Sequence, residues 1–272
     1  MQVREEIRSG LPEREQEILV TSFGTSEAGT RVRTIGAIEE EIEEVFGAEY
    51  EVRRAFTSRM VLRRIEREQD LKIDDIEAAL EKAAGAGVSH LVIACTHLMA
   101  GHEYDKVRQA AEGVRGRIGQ ITLTAPLLGS EEDCRRLLAA VIEDTQPLCD
   151  EESAVIFMGH GTDAASNEVY ARMQAMLQEA GEERYFIATV ESTPALDEVL
   201  DQLSTASVRR IVLQPLMVVA GDHACNDMAG DEPGSWKMRC RAEGYEVLPV
   251  LKGLGQIPQV RQMYVDHIRN VL

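Results

Sequence analysis

The chain has 272 residues and a formal net charge of −18 at pH 7; 44% of its residues are hydrophobic but only 4% are aromatic. This length allows one large domain or two ordinary ones around an aliphatic core. The acidic charge and the scarcity of aromatic side chains argue against nucleic acid as a partner, because nucleic-acid binding needs a basic surface or stacking platforms.

The N-terminal segment and the cysteines bear on where the protein works. Residues 1–16 form a polar, charged leader without the apolar core of a signal peptide, and no apolar run of about 18 residues predicts a membrane span. The five cysteines are widely spaced and include no C-x-x-C motif, which favours reduced thiols. We therefore expect a soluble, cytoplasmic protein with no membrane partner.

From residue 17 onward, apolar runs typical of strands alternate with segments of helical periodicity. The first half is predicted to contain strands at 17–23, 50–56, 90–96 and 121–128 and helices at 30–46, 73–87, 103–118 and 131–144. The second half is predicted to contain strands at 154–160, 184–190, 210–219 and 245–251 and helices at 163–180, from about 194, at 236–244 and at 258–271. This alternation predicts parallel sheets with right-handed crossovers.

The two halves resemble each other in sequence. SFGTS at 22–26 corresponds to MGHGTD at 158–163, RAFTSRM at 54–60 to ATVESTP at 188–194, and LVIACTHLMAGHEYDK at 91–106 to IVLQPLMVVAGDHACND at 211–227. We therefore predict an α/β protein with two similar doubly wound lobes, at 17–147 and 148–272, and an active site in the cleft between them. The repeat pairs Phe23 with His160, Thr57 with Glu191, and Glu103 with His223.

Three polar residues of the second half lie at or shortly after the ends of predicted strands. His160, Glu191 and His223 should lie at the carboxyl edge of a parallel sheet, where ligands bind in open α/β folds. Two imidazoles and a carboxylate there suggest a metal or proton-transfer site. The alternatives are a turn histidine at 160, a solvated loop glutamate at 191, and a helix start at His223 with Asp222 as N-cap or as an orienting carboxylate.

Other residues with chemical potential have ordinary explanations as well. His97 can be a hydrogen-bonded wall residue, and His102 and Glu103 suit a helix start, where an acid is favoured. Cys225 forms an H-x-C pair with His223 but is expected to pack as a small buried residue.

The segment 52–67 is rich in arginine within an acidic chain. Arg63, Arg64 and Arg67 are predicted to form a solvated helix face that pairs with nearby glutamates. Arg54 and Arg59 flank a strand end and are better placed to bind carboxylates.

Several short sequence motifs, taken together, resemble those of one protein family. SFGTS, AFTSRM, HEYDK, MGHGT, TVES, PLMVVAGDHACNDMAG, SWKMR and LKGLGQ occur in the order seen in anaerobic cobalt chelatases of the CbiK type. The resemblance covers nearly everything from about residue 17 to the end. It implies a lyase-class metal chelatase with a chelatase-like fold, which inserts Co2+ into sirohydrochlorin or precorrin-2 during anaerobic cobalamin synthesis without ATP.

The resemblance also implies site residues. The metal ligands and catalytic groups fall on His160, Glu191 and His223, and Glu103 resembles a further acidic group that faces the substrate. Co2+ is then a substrate, and no cofactor is permanently bound. Because the tetrapyrrole is a polycarboxylate and the protein is acidic, local donors must bind it, and we expect Arg54, Arg59, Ser22 and Thr25 to do so.

Several alternatives stay open at the level of sequence. A chelatase specific for Fe2+ or Ni2+ would use the same ligand types, since affinity order does not select Co2+. A non-catalytic carrier of tetrapyrrole or metal is the rival from another class. The sequence also leaves open which histidine accepts a proton, what His102 does, and whether the chain forms a homo-oligomer.

Overall fold

The computed structural model describes residues 15–272, and all statements below refer to these residues. They contain two four-stranded sheets in which every pairing is parallel. The first sheet has the order β2-β1-β3-β4 and consists of β1 (Gln16–Ser22), β2 (Glu51–Phe56), β3 (His90–Cys95) and β4 (Gln120–Leu123). The second has the order β6-β5-β7-β8 and consists of β5 (Ser153–Gly159), β6 (Tyr185–Thr189), β7 (Arg210–Pro215) and β8 (Glu246–Pro249).

The two sheets therefore have the same topology, which confirms the predicted α/β fold with two similar parallel-sheet lobes. In each, the first strand of the lobe lies in the middle and pairs with the next two strands along the chain. Every residue of β5 is buried, as expected for a parallel strand with both faces covered. Each sheet has its own apolar core, built mainly from aliphatic side chains.

Helices connect the strands, as predicted. They are α1 (Ala28–Arg31), which continues through a π-helical stretch (Val32–Gly36) into α2 (Ala37–Phe46), then α3 (Arg59–Gln69), α4 (Ile76–Ala86), α5 (His102–Gly113), α6 (Glu131–Thr145), α7 (Glu168–Glu179), α8 (Leu196–Leu203), α9 (Trp236–Ala242) and α10 (Pro258–Arg269). No helix within residues 15–272 combines the length and apolarity needed to cross a bilayer.

Helix starts follow local side-chain chemistry. Asp75 caps α4 by accepting from Ala78 N at 2.7 Å, and Ser130 caps α6 by accepting from Asp133 N at 3.1 Å. Each cap satisfies one of the backbone donors that a helix leaves unpaired at its first turn. The helix α3 carries the arginine-rich face, and Arg64 pairs there with Glu68 at 3.1 Å, as the solvated-face interpretation predicted.

Several predicted elements are too long. The strands predicted at 121–128 and 210–219 end at Leu123 and Pro215, and the predicted helix 103–118 ends at Gly113. After β7 the chain leaves the ladder: Met217 O accepts from Leu254 N at 2.9 Å and Val218 O from Gly255 N at 3.1 Å. Leu216, directly after β7, is still buried, and its N donates to Met158 O of β5 at 2.8 Å, so the apolar run extends past the strand.

The chain divides by its contacts into two units. One comprises the residues up to Gly129 and the segment Arg261–Leu272; the other is Ser130–Val260. This division differs from the predicted boundary between 147 and 148, because α6 joins the second unit and most of α10 joins the first. Asp144 of α6 accepts from Gln214 of β7 at 3.3 Å, whereas Tyr264 of α10 donates to Thr96 O at 2.9 Å. The predicted leader lies outside the described residues, apart from Glu15 and Gln16.

Candidate metal centre

His160 and Glu191 lie side by side because the strands that precede them are paired. His160 follows Gly159, the last residue of β5, and only Val190 separates Glu191 from the end of β6. The ladder continues past both strands, since Glu191 N donates to His160 O at 2.9 Å and Val190 N donates to Gly159 O at 3.1 Å. The carboxyl edge of the second sheet therefore presents both side chains together.

The glycines around His160 are required by close packing. A Cβ at Gly159 would come within 2.4 Å of Cε1 of Tyr170, which is buried on α7. Gly161 has a φ of +85°, and a Cβ there would lie 2.9 Å from Ser192 N. Only glycine fits a left-handed position so close to backbone. The strand-to-loop transition thereby fixes the backbone that carries His160.

His223 approaches from the loop after β7, where it opens a π-helix, His223–Met228. Its Nδ1 lies 2.6 Å from Oδ2 of Asp227, four residues later. This contact leaves Nε2 as the remaining ligand atom of the ring. Asp222, which the sequence suggested as the orienting group or N-cap, is at the N-cap position but makes no side-chain capping hydrogen bond.

The three side chains form one compact group. The His160 and His223 ring centroids lie 4.6 Å apart with their planes at 89°, and His160 Nδ1 lies 3.6 Å from Glu191 Oε2. One ligand atom from each of His160, Glu191 and His223 lies within 4.8 Å of the others. The side chains are 47%, 55% and 34% exposed, respectively, so the group opens to solvent. Two imidazoles and a carboxylate suit a borderline divalent cation, and three protein ligands leave positions open.

The residues predicted to bind substrate all lie in the first unit. Ser22 and Thr25 are buried; Ser22 Oγ accepts from Thr96 Oγ1 at 2.8 Å, and Thr25 Oγ1 accepts from Glu27 N at 3.3 Å. Both hydroxyls therefore support the loop after β1. Glu103 is partly exposed on α5 and forms an ion pair with Lys106.

The two arginines proposed as carboxylate-binding groups differ sharply. Arg54 is only 3% exposed, and its Nε and Nη2 lie 2.6 and 2.5 Å from the carboxylate oxygens of buried Glu39. Its guanidinium thus forms an internal ion pair instead of a surface site for substrate, which corrects the expectation for this residue. Arg59 is 68% exposed and lies 3.6 Å from Glu77, so it remains accessible.

Sequence reasoning missed the carboxylate that contacts His223 and the Tyr170 ring that packs against Gly159. Asp227 could have been found from its H-x-x-x-D spacing, which places two side chains on one helical face. Tyr170 had no such signal, because its role depends on the packing of α7 against β5. Cys225 does not join the group of three, but it is exposed, so the expectation that it packs as a small buried residue is wrong.

Comparison with known proteins identifies the family of this chain. A model of the family described as cobalt chelatase (CbiK) matches residues 16–272. The chain belongs to this family. It is 36% identical over 255 residues to the sirohydrochlorin cobaltochelatase of Salmonella typhimurium, covering 94% of this chain and 96% of that one. It is 31% identical over 260 residues to the sirohydrochlorin cobaltochelatase CbiKC of Nitratidesulfovibrio vulgaris, covering 95% and 91%.

Solved structures share the fold of this CbiK-family chain at lower identity. SirB from Bacillus subtilis, solved with Fe3+, aligns with a TM-score of 0.64 at 16% identity over 94% of this chain and 95% of that one. CbiX, described as the terminal enzyme of siroheme biosynthesis in denitrifying bacteria, aligns with a TM-score of 0.56 at 15% identity over 94% and 100%. These likenesses concern the fold, which confirms the chelatase-like architecture expected from the sequence.

Proposed function

We propose that this CbiK-family enzyme inserts Co2+ into sirohydrochlorin without ATP, as a step of anaerobic cobalamin biosynthesis. The observation that carries the proposal is the group of His160, Glu191 and His223, whose ligand atoms lie within 4.8 Å of one another at the carboxyl edge of the second sheet. The family membership and the two cobaltochelatase relatives support the same metal and macrocycle.

The three side chains suit transient metal binding. They would hold Co2+ through two imidazole nitrogens and a carboxylate oxygen, and the open positions would be taken by water and then by the macrocycle nitrogens. Asp227 keeps the His223 ring oriented while the ligands exchange. A partly exposed site with three ligands gives the metal up more readily than a closed four-ligand site, which a chelatase requires.

Metallation replaces two pyrrole protons with one divalent cation, so proton acceptors must accompany the metal ligands. A neutral histidine can accept a proton once the metal has moved to the pyrrole nitrogens. His160 or His223 would serve on the metal side, and Glu103 is the acidic group of the first unit suited to contact the macrocycle.

The tetrapyrrole carboxylates need local cationic and backbone donors because the chain carries a net charge of −18. Arg59, which is largely exposed, is the arginine suited to this task. Ser22 and Thr25 contribute by shaping the loop after β1, and Arg54 contributes to stability through its buried ion pair with Glu39.

Affinity for these donors does not select Co2+, because Ni2+ binds them at least as tightly, so the test compares Co2+, Ni2+ and Fe2+. The protein is mixed anaerobically with excess sirohydrochlorin and each metal, without ATP, and macrocycle absorbance is followed. We expect many turnovers per protein with Co2+. A change that stops at one equivalent would identify a carrier instead, and faster turnover with Fe2+ or Ni2+ would reassign the metal. A His160→Ala protein under the same conditions gives the uncatalysed background.

A further inference from the structure

A second group of polar side chains lies at the carboxyl edge of the first sheet. Thr57 directly follows β2, His97 follows β3 by one residue, and Glu103 is the second residue of α5. Hydrogen bonds to β1 fix the two strand ends: Thr57 N donates to Ser22 O, and Thr96 N donates to Thr21 O, both at 2.9 Å. Thr57 and His97 therefore flank the end of the central strand.

Three buried polar atoms of this group have no hydrogen-bond partner among residues 15–272: Nδ1 and Nε2 of His97 and Oε2 of Glu103. Thr57 Oγ1 is buried as well, and its hydroxyl acts on the Glu103 carboxylate. Nearly all buried polar atoms in proteins are paired, so three such atoms in one place need an explanation. The backbone of His97 is well held, since His97 O accepts from Leu127 N at 3.0 Å.

Burial keeps the imidazole neutral, and neighbouring donors keep the carboxylate ionised. Burial lowers the pKa of His97 to about 4; two charged groups of α5 also act on the ring, Glu103 raising this pKa and Lys106 lowering it. Partial burial raises the pKa of Glu103, but the hydrogen bonds from Lys106 and the Thr57 hydroxyl, together with the charge of Lys106, outweigh burial and hold that pKa below its usual value. Neutral imidazole offers one N–H donor and one acceptor.

We propose that His97 is a positioning residue for Glu103: its ring N–H donates to the buried Oε2 and holds the carboxylate ready to accept one pyrrole proton. The inference rests on the proposed chelatase function. Catalytic hydrogen bonds of this kind often close only when substrate is bound. The pyrrole nitrogen keeps its electron pair for the metal, and the proton moves to the other carboxylate oxygen of Glu103, Oε1, which Lys106 contacts. The neutral acid then releases this proton to water at its partly exposed side.

The test compares His97→Met, which has similar volume but no donor, with His97→Gln, whose amide can donate. With Co2+ and tetrapyrrole saturating, kcat is measured from about pH 5.5 to about pH 8.5. We expect His97→Met to lower kcat about tenfold with KM changed less than about twofold. The acid limb of the profile should move to higher pH, because Glu103 has lost a donor, and His97→Gln should restore much of both.

A double-mutant cycle separates positioning from a structural role. In a Glu103→Gln background, His97→Met should change neither kcat nor the acid limb, because the group it positions is gone. Equal losses in both backgrounds, or a loss uniform over pH, would overturn the inference. If Glu103→Gln lowers the rate to the uncatalysed level, the cycle cannot be read, and the pH profiles of the two His97 variants provide the test. An acid limb at higher pH in His97→Met than in His97→Gln supports the positioning role, and identical acid limbs overturn it.

The matched control is His90→Met at the amino end of the same strand. His90 also has a buried ring nitrogen without a partner among residues 15–272, and its Nδ1 lies 3.4 Å from Tyr50 Oη. We expect its kcat and pH profile to match those of the unchanged protein. Absence of chelation in the unchanged protein with any metal would defeat the proposed function itself, which is a different result from unchanged His97 variants.

Discussion

Asp227 Oδ2 lies 2.6 Å from His223 Nδ1 across one turn of the π-helix that follows β7. This contact fixes the orientation of the ring and leaves Nε2 as its ligand atom. Replacing Asp227 with Asn should weaken Co2+ binding about 10- to 100-fold, because carboxylates that support a metal-bound histidine raise its basicity and hold its tautomer. Isothermal titration with Co2+ and the cobalt absorption bands provide the measurement.

Asp222→Asn is the matched control for this prediction. Asp222 precedes His223 in the sequence, but Asp227 is the residue that bonds the ring. We expect Asp222→Asn to change Co2+ affinity less than Asp227→Asn does. The reverse order would mean that the carboxylate nearest in sequence supports the metal.

Removing either histidine of the metal group should abolish chelation and leave the fold unchanged. His160→Ala and His223→Ala each delete one of three ligands on partly exposed side chains, so little packing is lost. Glu191→Gln keeps the shape of the side chain but loses its charge, and should retain weaker Co2+ binding. Circular dichroism checks that the variants are folded, and the absorbance of the macrocycle measures chelation. Turnover in either alanine variant at the rate of the unchanged protein would exclude a ligand or base role.

The sequence was sufficient to predict the two parallel sheets and the proximity of His160, Glu191 and His223, and the physical reason is register. Apolar runs give the strands, and parallel pairing of β5 with β6 then brings His160 and Glu191 to the same edge. The role of Arg54 could not be predicted this way, because every residue of β2 after Glu51 is buried and the partner, Glu39, lies on α2. Partners that depend on helix packing leave no periodic signal.

Replacing Arg54 and replacing Arg59 should therefore have different effects, one on stability and the other on substrate binding. Arg54→Ala removes the bidentate partner of buried Glu39 and should lower the free energy of unfolding by about 3 kcal/mol or more. Arg59→Ala should leave stability nearly unchanged, since its contact with Glu77 is exposed, and should raise the KM for tetrapyrrole about two- to fivefold. Urea unfolding and steady-state kinetics measure the two effects. A KM unchanged by Arg59→Ala would remove this residue from substrate binding.

Gly159→Ala should destabilise the second unit and disturb the metal group. The new Cβ would lie 2.4 Å from Cε1 of Tyr170, so β5 or α7 must shift, at a cost of about 1–3 kcal/mol. Gly85→Ala is the control: it lies in α4, where an added Cβ would meet no atom within 4 Å, and should be stabilising by about 0.5–1 kcal/mol. Thermal unfolding compares the two variants. Equal shifts of their unfolding temperatures would show that the close approach to Tyr170 is relieved without cost.

His97 should make the protein less stable in acid. Burial lowers its pKa to about 4 in the folded protein from an ordinary value of 6.5. Between these values the unfolded chain binds the proton and the folded chain does not, so the stability that is present above pH 6.5 is lost as the pH falls towards 4. From neutral pH to about pH 4.5 this loss is on the order of 2 kcal/mol. Carboxylate protonation also contributes in this range, so the comparison is with His97→Gln, which cannot titrate. Urea unfolding at both pH values should show a smaller acid-induced loss in the variant, and parallel losses would mean that the ring is already protonated in the folded state.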